Sequence, residues 1–332
     1  MRALLIVNPH ATSTTVPRRE VIVRALGSEV ELDVVETRYR GHAWMLASEA
    51  AKEGYHAVFT LGGDGTINEV VNGLLGGGAW SGAAAGPAAP AEPASPPAST
   101  PPPAPASLAL APLPGGSANV FVRALGIPTD PVDATGLMLQ AIRRGRERRI
   151  GLGLAGDRYF TFNAGLGLDA EVVRAVEGLR AQGRPATPAL YVRTALRQFY
   201  SVTDRRHPAL QLERDGHDPI GELFVGIVSN TSPWTYLGTR PVNPNPLAGF
   251  DSGLDIFALR RLRTVGTLNA LRQMLATRER PPQGRHVVSL HDQTELTLRS
   301  QRPIAFQVDG EYVGERECLT FRAVREALRV IC

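Results

Sequence analysis

The stretch VFTLGGDGTINEVVNG, residues 58–73, decides the fold of this chain. Its apolar start predicts a buried strand, the glycines predict a hinge, and the run from Ile67 predicts a helix. Glycines let the backbone approach an anion closely, and the N–H groups that open a helix supply donors and partial positive charge. The stretch therefore predicts a phosphate site that carries one carboxylate, that of Asp64.

The carboxylate of Asp64 needs a reason to lie in such a site. Phosphates would repel it, unless it binds their metal ion or accepts a proton from an attacking hydroxyl, so it points to phosphoryl transfer. The alternative is a tight strand-to-helix turn that Asp64 caps. A bare Gly-Gly-Asp-Gly fits both interpretations equally well.

The composition predicts a two-domain cytoplasmic protein. A chain of 332 residues is long for one core, and its net charge is only +4. Cys318 and Cys332 give neither a disulfide framework nor metal-ligand spacing, which indicates a reducing compartment. The N-terminus lacks an apolar run long enough for a signal peptide or a membrane span. If the protein meets lipid, the contact should be peripheral; we expect no nucleic-acid partner, and we leave a homodimer open.

The first part of the chain alternates strands with helices, which predicts a parallel sheet. The predicted strands are residues 3–7, 31–36 and 57–61, and the helices begin near Pro17, Gly41 and Ile67. Residues 76–107 are rich in Gly, Ala, Pro and Ser and cannot build a core, so we expect a disordered insertion there. A buried strand resumes at Leu108.

From Arg149 onward the chain changes to many short β-type runs, which are typical of a sandwich. The last of these predicted strands are Thr294–Arg299 and Ile304–Val308. The predicted fold class is α/β: a nucleotide-binding parallel-sheet domain, then a mainly antiparallel β-sandwich domain. We place the domains at residues 1–127 and 128–332, with the option that the extreme C-terminus returns to the first. Apolar helical stretches near 168–179, 190–199 and 265–275 are interpreted as core-packing helices, the alternative being a lid.

Four polar or glycine-rich segments each follow a predicted strand. In open α/β folds such segments converge at the carboxyl edge of the sheet, where ligands bind. Together they predict a nucleotide pocket, although each alone could be ordinary turn chemistry. The segments are Asn8–Thr12, the turn with Thr37 and Gly41, Gly62–Glu69, and Pro114–Asn119.

A late turn, Val308-Asp309-Gly310-Glu311, places two carboxylates on either side of a glycine. Hairpin turns use Asp-Gly constantly, so the turn alone is weak evidence of function. A kinase that acts on an alcohol, however, needs a carboxylate to orient or deprotonate the hydroxyl. Glu311 or Asp309 is the candidate for that role, if the turn faces Asp64 across a cleft.

These residues match a known family. The sequence resembles the lipid kinases of the diacylglycerol kinase catalytic-domain family, which includes sphingosine and ceramide kinases and the bacterial soluble diacylglycerol kinases. The matching segments run in the family's order from end to end. They are Val7–Pro9, Thr37 with Gly41–Ala43, Gly62–Gly73, Leu113–Leu125, Phe162–Ala170, Gly253–Asp255 and Val308–Glu311.

The resemblance implies two domains with ATP in the cleft between them, and it implies Mg²⁺. By matching position, Glu311 would accept the substrate proton, Asp309 would lie close by, and Asp64 would hold the geometry of metal and phosphate. The residues that would line ATP by the same matching are Asn8, Pro9, His10, Ala11, Thr12, Thr37, Gly63, Asp64, Gly65, Thr66, Ile67, Asn68, Glu69 and Ser117.

The sequence departs from the family pattern at two positions. Val120 stands where bacterial members usually have Asp, although sphingosine kinases also lack a carboxylate there. Ser252 stands where the family often has the Asp of Asp-Gly-Leu at a structural Mg²⁺, and Asp251 lies one place earlier. The candidate metal ligands are thus Asp64 at the nucleotide, and Asp251, Ser252 and Leu254 at the second site, which the loss of a hard oxygen ligand weakens.

The resemblance implies ATP-dependent phosphorylation of a lipid hydroxyl, with diacylglycerol as the first expected acceptor and phosphatidic acid as the product. The lipid would be met at the membrane surface. One alternative is a kinase for a soluble substrate, in the manner of NAD kinase, since the glycine-aspartate motif is shared with that class. The other is a regulator that binds lipid or nucleotide without catalysis, which the changes at Val120 and Ser252 would allow.

Overall fold

The structure is a computed structural model, and it describes residues 1–11, 14–78, 108–182, 184, 187–276 and 279–332. Thr12 and most of the predicted insertion at 76–107 lie outside these residues. The helices are α1 (Val16–Gly27), α2 (His42–Ala50), α3 (Asp64–Leu75), α4 (Val120–Ala124), α5 (Pro131–Arg144), α6 (Leu168–Ala181), α7 (Pro188–Arg197) and α8 (Thr264–Met274). The strands are β1 (Arg2–Val7), β2 (Glu31–Glu36), β3 (Ala57–Gly62), β4 (Ala109–Pro114), β5 (Glu147–Ala155), β6 (Arg158–Phe160), β7 (Asn163–Gly167), β8 (Leu210–Arg214), β9 (His217–Leu223), β10 (Val225–Ser229), β11 (Thr235–Leu237), β12 (Arg240–Val242), β13 (Leu254–Leu259), β14 (Val287–Gln293), β15 (Glu295–Val308) and β16 (Glu311–Ile331).

The first strands form the predicted parallel sheet, in the order β2-β1-β3-β4. Every residue of β3 and β4 is buried. Strands buried on both faces are typical of parallel sheets that helices cover on either side, which explains the continuous apolar runs in the sequence. Helices α2 and α3 pack against each other, and α1 packs against α5, which also contacts β4.

Helix α5 has clear start and stop signals. Asp130 caps it by accepting hydrogen bonds from the N–H groups of Val132 and Asp133, at 2.8 and 3.2 Å. Pro131 occupies the first turn, and Gly145 ends the helix at φ 60°. Although α5 lies beyond residue 127 in the sequence, it packs with the helices of the first sheet, and the domain boundary at 127 stays a prediction.

The later strands are mainly antiparallel, as predicted. The order β14-β13-β10-β7-β15-β16 runs through antiparallel pairs, and β8 and β9 branch from β15. The two predicted strands at 294–299 and 304–308 are halves of the single strand β15. Its residues 297–300 pair with β8 and its residues 306–308 pair with β7, with an irregularity in register between Arg299 and Ile304. The branches enclose one core, in which Leu298 packs onto Gly226.

The last strand, β16, is 21 residues long and was not predicted from the sequence. It pairs first with β15, then with β5, and its end lies parallel to β4 through Arg329 and Val330. One strand therefore belongs to both the antiparallel region and the parallel sheet. A 14-stranded sheet results, with β11 and β12 forming a separate hairpin.

An outer layer covers β10 and β13. Its π-helical turn at Gln198–Val202, α8 and the β11–β12 hairpin share a cluster of buried apolar side chains, and α7 leads directly into the π-helical turn. The helical stretches near 190–199 and 265–275 thus each bury one side, as core-packing helices do. Among the described residues, each helix is too short or too polar to pass through a bilayer.

Candidate active site

Two glycine loops lie in direct contact at the carboxyl edge of the parallel sheet. The N–H of Gly115, after β4, donates a 2.8 Å hydrogen bond to the carbonyl of Gly62, at the end of β3. A Cβ on Gly115 would lie 2.8 Å from the backbone of Gly62, and one on Gly116 would lie 2.8 Å from Cα of Gly63. Only glycine fits at these positions, because the two backbones touch. The predicted convergence of these segments is therefore observed.

Asp64 is the first residue of α3, three positions earlier than the predicted helix start. Its carboxylate accepts hydrogen bonds from the N–H groups of Val120 (3.0 Å) and Phe121 (3.1 Å), which open α4. Burial raises the pKa of Asp64 to about 6, opposed by these two bonds and assisted by the carboxylates of Asp309 and Glu311. Asp64 does cap a helix, as the alternative interpretation of the motif held. The helix that it caps is α4 and not its own helix α3. Only the backbone of Val120 takes part, so the change of side chain there leaves the cap intact.

The loop after β1 joins the same edge through Asn8. Its side-chain amide donates to Oγ1 of Thr66 at 3.0 Å, and its Oδ1 accepts from the N–H of His10 at 2.9 Å. The N–H of Thr37, after β2, bonds the carbonyl of Val7 at 2.8 Å. The structure therefore brings these loops together beside the first turn of α3. The predicted nucleotide contacts that are at least partly exposed along this edge are Asn8, Pro9, His10, Ala11, Thr37, Gly63, Asp64, Gly65 and Ser117.

Other predicted nucleotide contacts have buried side chains with structural partners. Ile67 is fully buried in the core. The carboxylate of Glu69 accepts from the N–H groups of Gly41 (2.9 Å) and Ala43 (3.2 Å), so it caps the start of α2. Burial raises the pKa of Glu69. These side chains build the edge of the sheet rather than line its surface.

Asn68 is the link between α3 and the antiparallel region. Its amide donates to the carbonyl of Tyr159 (2.9 Å) and to Oδ2 of Asp309 (2.8 Å). Its Oδ1 accepts from the guanidinium of Arg158, at 2.7 Å for the shorter contact. Since Asn68 is 1% exposed, these bonds are shielded from water. They fix the late acidic turn against the early helix.

Asp309 is buried and accepts from five donors. Besides Asn68, these are the N–H and Oγ1 of Thr161, both at 2.8 Å, and the N–H groups of Phe162 (3.0 Å) and Asn163 (3.1 Å). Burial raises the pKa of Asp309, and the hydrogen bonds from the backbone of residues 161–163 lower it. Asp309 therefore acts as a structural anchor of the turn, which itself has positive φ at Asp309 and Gly310.

Glu311 lies directly over the glycine loop. A Cβ on Gly65 would overlap Oε1 of Glu311, so glycine leaves room for the carboxylate in this position. Oε2 is buried and accepts no hydrogen bond from the described part of the chain, although Nη2 of Arg40 lies 3.2 Å away as an ion-pair partner. Arg40 also approaches Glu177 on α6 at 3.4 Å. Asp309 and Glu311 thus lie beside the loop that carries Asp64, as the sequence predicted.

Two charged residues of this cluster were missed by sequence reasoning. Arg158, on the three-residue strand β6, is 5% exposed, and Glu311, Asp309 and Glu69 act on it electrostatically. Burial lowers its pKa. Nothing in the sequence around Arg158 indicated this placement, because the contacts come from distant segments. Arg40 lies between the matched Thr37 and Gly41, and only its tertiary contacts with Glu177 and Glu311 reveal its position.

The buried side chains of Gln307 and Asp169 stabilise the acidic turn at residues 308–311. Nε2 of Gln307 donates to Oδ2 of Asp169 and to Oδ1 of Asn163, both at 2.7 Å, and Oε1 of Gln307 accepts from the N–H of Gly310 at 2.9 Å. Burial raises the pKa of Asp169 to about 6. Asp169 was part of the matched segment Phe162–Ala170, but no role followed from its sequence alone.

The residues proposed for the second metal site are engaged elsewhere. Asp251 is exposed and forms a 2.6 Å ion pair with Arg148. The hydroxyl of Ser252 donates to the carbonyls of Gly249 (3.0 Å) and Gly253 (3.1 Å), and Leu254 begins the buried strand β13. No group of three or more His, Cys, Asp or Glu that could hold a metal ion occurs among the described residues. These residues do not fit a resident Mg²⁺.

A magnesium ion that arrives with a bound nucleotide would contact different residues from those of the second metal site. Each carboxylate oxygen of Asp64 accepts one N–H in the bonds described above, which leaves it further acceptor capacity, and Oε2 of Glu311 is a buried oxygen without a hydrogen bond from the described residues. Hard carboxylate oxygens at a helix start suit Mg²⁺ that is bound chiefly to phosphates. Asp64 therefore fits this ion.

Comparison with known proteins agrees with the fold. Residues 2–155 match the family model of the diacylglycerol kinase catalytic domain. A diacylglycerol kinase of Staphylococcus carnosus (strain TM300) is 24% identical over 316 residues, covering 95% of this chain and 90% of that protein. One from Staphylococcus aureus (strain JH9) is 25% identical over 320 residues, covering 95% and 87%.

The fold has a counterpart among solved structures. A diacylglycerol kinase from Bacillus anthracis strain Sterne matches with a TM-score of 0.66 at 18% identity, covering 99% of this chain and 96% of that one. The fold, the acidic cluster at a glycine loop and these relatives define a class of protein: the chain is a lipid kinase. The resemblance is confirmed, since residues 2–155 match the model of the diacylglycerol kinase catalytic domain.

Proposed function

We propose that this protein transfers the γ-phosphoryl group of ATP to a lipid hydroxyl, with diacylglycerol as the acceptor and phosphatidic acid as the product. The observation that carries the proposal is the position of Glu311, whose carboxylate lies over Gly65 at the first turn of α3. A phosphate site and a proton acceptor in one place are the two components that phosphoryl transfer to an alcohol requires. The relatives named diacylglycerol kinase support the choice of acceptor.

The glycine loops and the start of α3 would hold the phosphates. First-turn N–H groups point toward a bound anion, and the backbone at Gly63 and Gly65 allows close approach. Asn8, held by Thr66, and the exposed Ser117 would border the nucleotide. When bound, Mg²⁺ neutralises charge on the phosphates, and Asp64 is the residue that would hold it.

Glu311 would orient the lipid hydroxyl and take its proton. Its position is fixed from both sides, because Asp309 anchors the turn and Gln307 bonds the N–H of Gly310. Arg40 forms an ion pair with the same carboxylate, and a cation at this position also suits the negative charge of a transferring phosphoryl group. The buried Arg158 offsets part of the negative charge of the cluster.

The test is incubation with labelled ATP, Mg²⁺ and a panel of diacylglycerol, sphingosine, ceramide and NAD, with diacylglycerol dispersed in detergent. We expect label on diacylglycerol. In the variant Glu311→Gln the turnover should fall by about 10²- to 10⁴-fold, because the proton acceptor is lost while the shape of the side chain is kept. The matched control is Glu315→Gln on the same strand, an exposed residue paired with Arg174, which should keep the wild-type rate.

Three outcomes would contradict the proposal. Label on NAD alone would make the protein a kinase for a soluble substrate. Binding of ATP and Mg²⁺ in a calorimeter with no transfer to any lipid would make it a regulator without catalysis. A wild-type rate in Glu311→Gln would remove Glu311 from the mechanism.

A further inference from the structure

Exposed apolar side chains are concentrated on the outer layer. Of the fourteen large apolar side chains that are exposed in the described residues, seven lie on α7, the π-helical turn and α8. We call these seven the outer apolar face. Its members, with their exposed fractions, are Val192 (45%), Leu196 (51%), Tyr200 (51%), Val202 (57%), Val265 (82%), Leu268 (54%) and Leu271 (40%).

The spacing of these residues aligns them on one side of each helix. Val192, Leu196 and Tyr200 recur every four residues, and Val265, Leu268 and Leu271 recur every three. The opposite sides are buried, since Phe199, Ala270 and Met274 enter the same apolar cluster over β10 and β13. Both segments therefore lie on one surface of the molecule with their apolar stripes facing outward.

Two open clefts connect the stripes with their neighbours. A cleft of about 640 Å³ lies between α7 and the β11–β12 hairpin and is lined by Val192, Leu196 and Leu237 among others. A second, of about 670 Å³, lies between the π-helical turn and the start of α8 and includes Tyr200, Arg205, Arg206 and Arg263. Each stripe therefore borders a cleft, so the outer apolar face is more than the scattered single side chains that a protein surface normally contains.

The charge of this surface is strongly positive. The segments 188–206 and 260–276 together contain eight arginines and one acid, Asp204. Asp204 is already paired with His207 at 2.7 Å. The arginines are Arg193, Arg197, Arg205, Arg206, Arg260, Arg261, Arg263 and Arg272, all of them exposed.

We propose that the outer apolar face docks onto the surface of a bilayer that contains anionic phospholipids. Exposed apolar side chains insert to the depth of the acyl boundary, and flanking arginines keep their charge at the level of the headgroups. Arginine also binds phosphate with its planar fork, and each cation near an anionic surface adds to binding. A layer with eight arginines and one paired acid is complementary to anionic lipid.

The docking surface lies next to the candidate active site. Helix α7 packs on α6, and Glu177 of α6 accepts a 3.1 Å hydrogen bond from the N–H of Tyr312, the residue after Glu311. Helix α7 therefore has the outer apolar face on its exposed side and α6, which contacts the acidic turn, on the other. The inference rests on the proposed function in one respect, since a lipid substrate brings the enzyme to a bilayer.

The test is sedimentation of the full chain with vesicles, without ATP, so that its result is independent of catalysis. Vesicles of phosphatidylcholine alone are compared with equimolar phosphatidylcholine and phosphatidylglycerol. We expect binding to the anionic vesicles. Val265→Ser with Leu268→Ser should weaken it by about tenfold or more, because two inserted apolar side chains are lost. Arg206→Gln with Arg272→Gln should weaken it by about 25-fold, at about fivefold for each charge.

Matched controls lie on other surfaces. Val16 and Val21 on α1 are 61% and 52% exposed, so Val16→Ser with Val21→Ser should bind like the wild type. Arg24→Gln with Arg325→Gln serves as the charge control. Transfer to detergent-dispersed diacylglycerol reports the catalytic activity separately, and we expect the docking variants to retain it.

The proposal is overturned if the wild type binds neither vesicle, if it binds both equally, or if the docking variants sediment like the wild type. It is also overturned if the wild type forms a dimer in solution that Val265→Ser with Leu268→Ser abolishes, because a second copy would then cover the face. Loss of vesicle binding with intact transfer in detergent would support docking. Vesicle binding without transfer to any lipid would contradict the proposed function and leave docking in place.

Discussion

At the scale of single residues, Asp309 and Glu311 show how alike in sequence and unlike in environment two carboxylates can be. Asp309 accepts from five donors and is 4% exposed. Glu311 lies at the surface of the site with an ion pair to Arg40. Because hydrogen bonds saturate Asp309, it suits an anchor, whereas Glu311 lies over Gly65 and keeps an oxygen that accepts no hydrogen bond from the described residues. The turn Asp-Gly-Glu alone could not assign these roles.

Asp169 leads to a prediction about pH. Its carboxyl is 8% exposed, and its pKa is about 6 against an ordinary value of 3.8. Between about pH 4 and pH 6 the folded protein holds a proton that the unfolded chain releases, so the contribution of Asp169 to stability falls as pH rises through this window. Asp169→Asn removes the buried charge and can still accept from Gln307. At about pH 8 it should raise the free energy of unfolding by roughly 1–3 kcal/mol.

The measurement is urea unfolding of wild type and variant at about pH 4 and about pH 8. The gain should be present at the higher pH and absent at the lower one. Asp218→Asn, at an exposed position on β9, is the control and should change stability little at either pH. An equal difference at both pH values would show that folding does not shift the pKa of Asp169.

At the scale of elements, the contact between the two glycine loops sets where α3 and α4 begin. The loop after β4 touches the loop after β3 through Gly115 and Gly62, and Asp64 then bonds the first N–H groups of α4. The starts of both helices therefore depend on a close approach of two backbones. This explains why the helix that was predicted from Ile67 starts at Asp64 instead.

Gly115→Ala should disrupt this contact. The added methyl group would lie 2.8 Å from N and Cα of Gly62, and both are backbone atoms of buried strands that cannot turn away. We expect a loss of about 2–4 kcal/mol in the free energy of unfolding. The measurement is denaturant unfolding, together with ATP binding by calorimetry, which should also weaken.

Gly136→Ala is the matched control for this glycine substitution. Gly136 lies inside α5, and none of the described residues comes within 4 Å of the added methyl group. Alanine at a helix interior should raise stability by up to about 1 kcal/mol. If both variants behave alike, the close approach of the two loops is not what requires glycine at position 115.

At the scale of the whole molecule, β16 joins the antiparallel region to the parallel sheet. It pairs with β15 and β5 and ends beside β4. Asn68 and Asp309 make a second connection between residues 241 positions apart in the chain. These long-range contacts hold the late turn over the early loop, which is the arrangement that the proposed mechanism needs.

Leu328→Ala tests this connection. Leu328 is fully buried near the end of β16, so its truncation should cost about 2–5 kcal/mol through lost burial and the cavity left behind. Hydrogen exchange followed by mass spectrometry should show faster exchange in peptides from both β3 and β13, because one strand serves both regions. Arg325→Ala, at an exposed position on the same strand, should leave exchange unchanged. Faster exchange in β3 alone would mean that the two regions unfold independently.

The sequence predicted the local features of this protein well. Alternating strands and helices, buried β3, the glycine hinge and the antiparallel texture after Arg149 depend on neighbouring residues, so periodicity and turn chemistry reveal them. The continuity of β15 and the length of β16 were missed because their irregular register and exposed charges interrupt the strand pattern. The predicted lipid-kinase class followed from motifs whose residues and order can be read directly from the sequence.

The sequence by itself determined which elements form and which segments carry phosphate-binding and acidic side chains. Only the tertiary structure decided the role of each side chain. Asp64 caps α4, Asp309 anchors the late turn, and Glu311 faces the glycine loop. Arg40 and Arg158 lie beside these carboxylates. The physical reason is that hydrogen bonding, burial and ion pairing at this site are made between segments far apart in the chain. Their partners are fixed by packing and strand pairing, which no local pattern records.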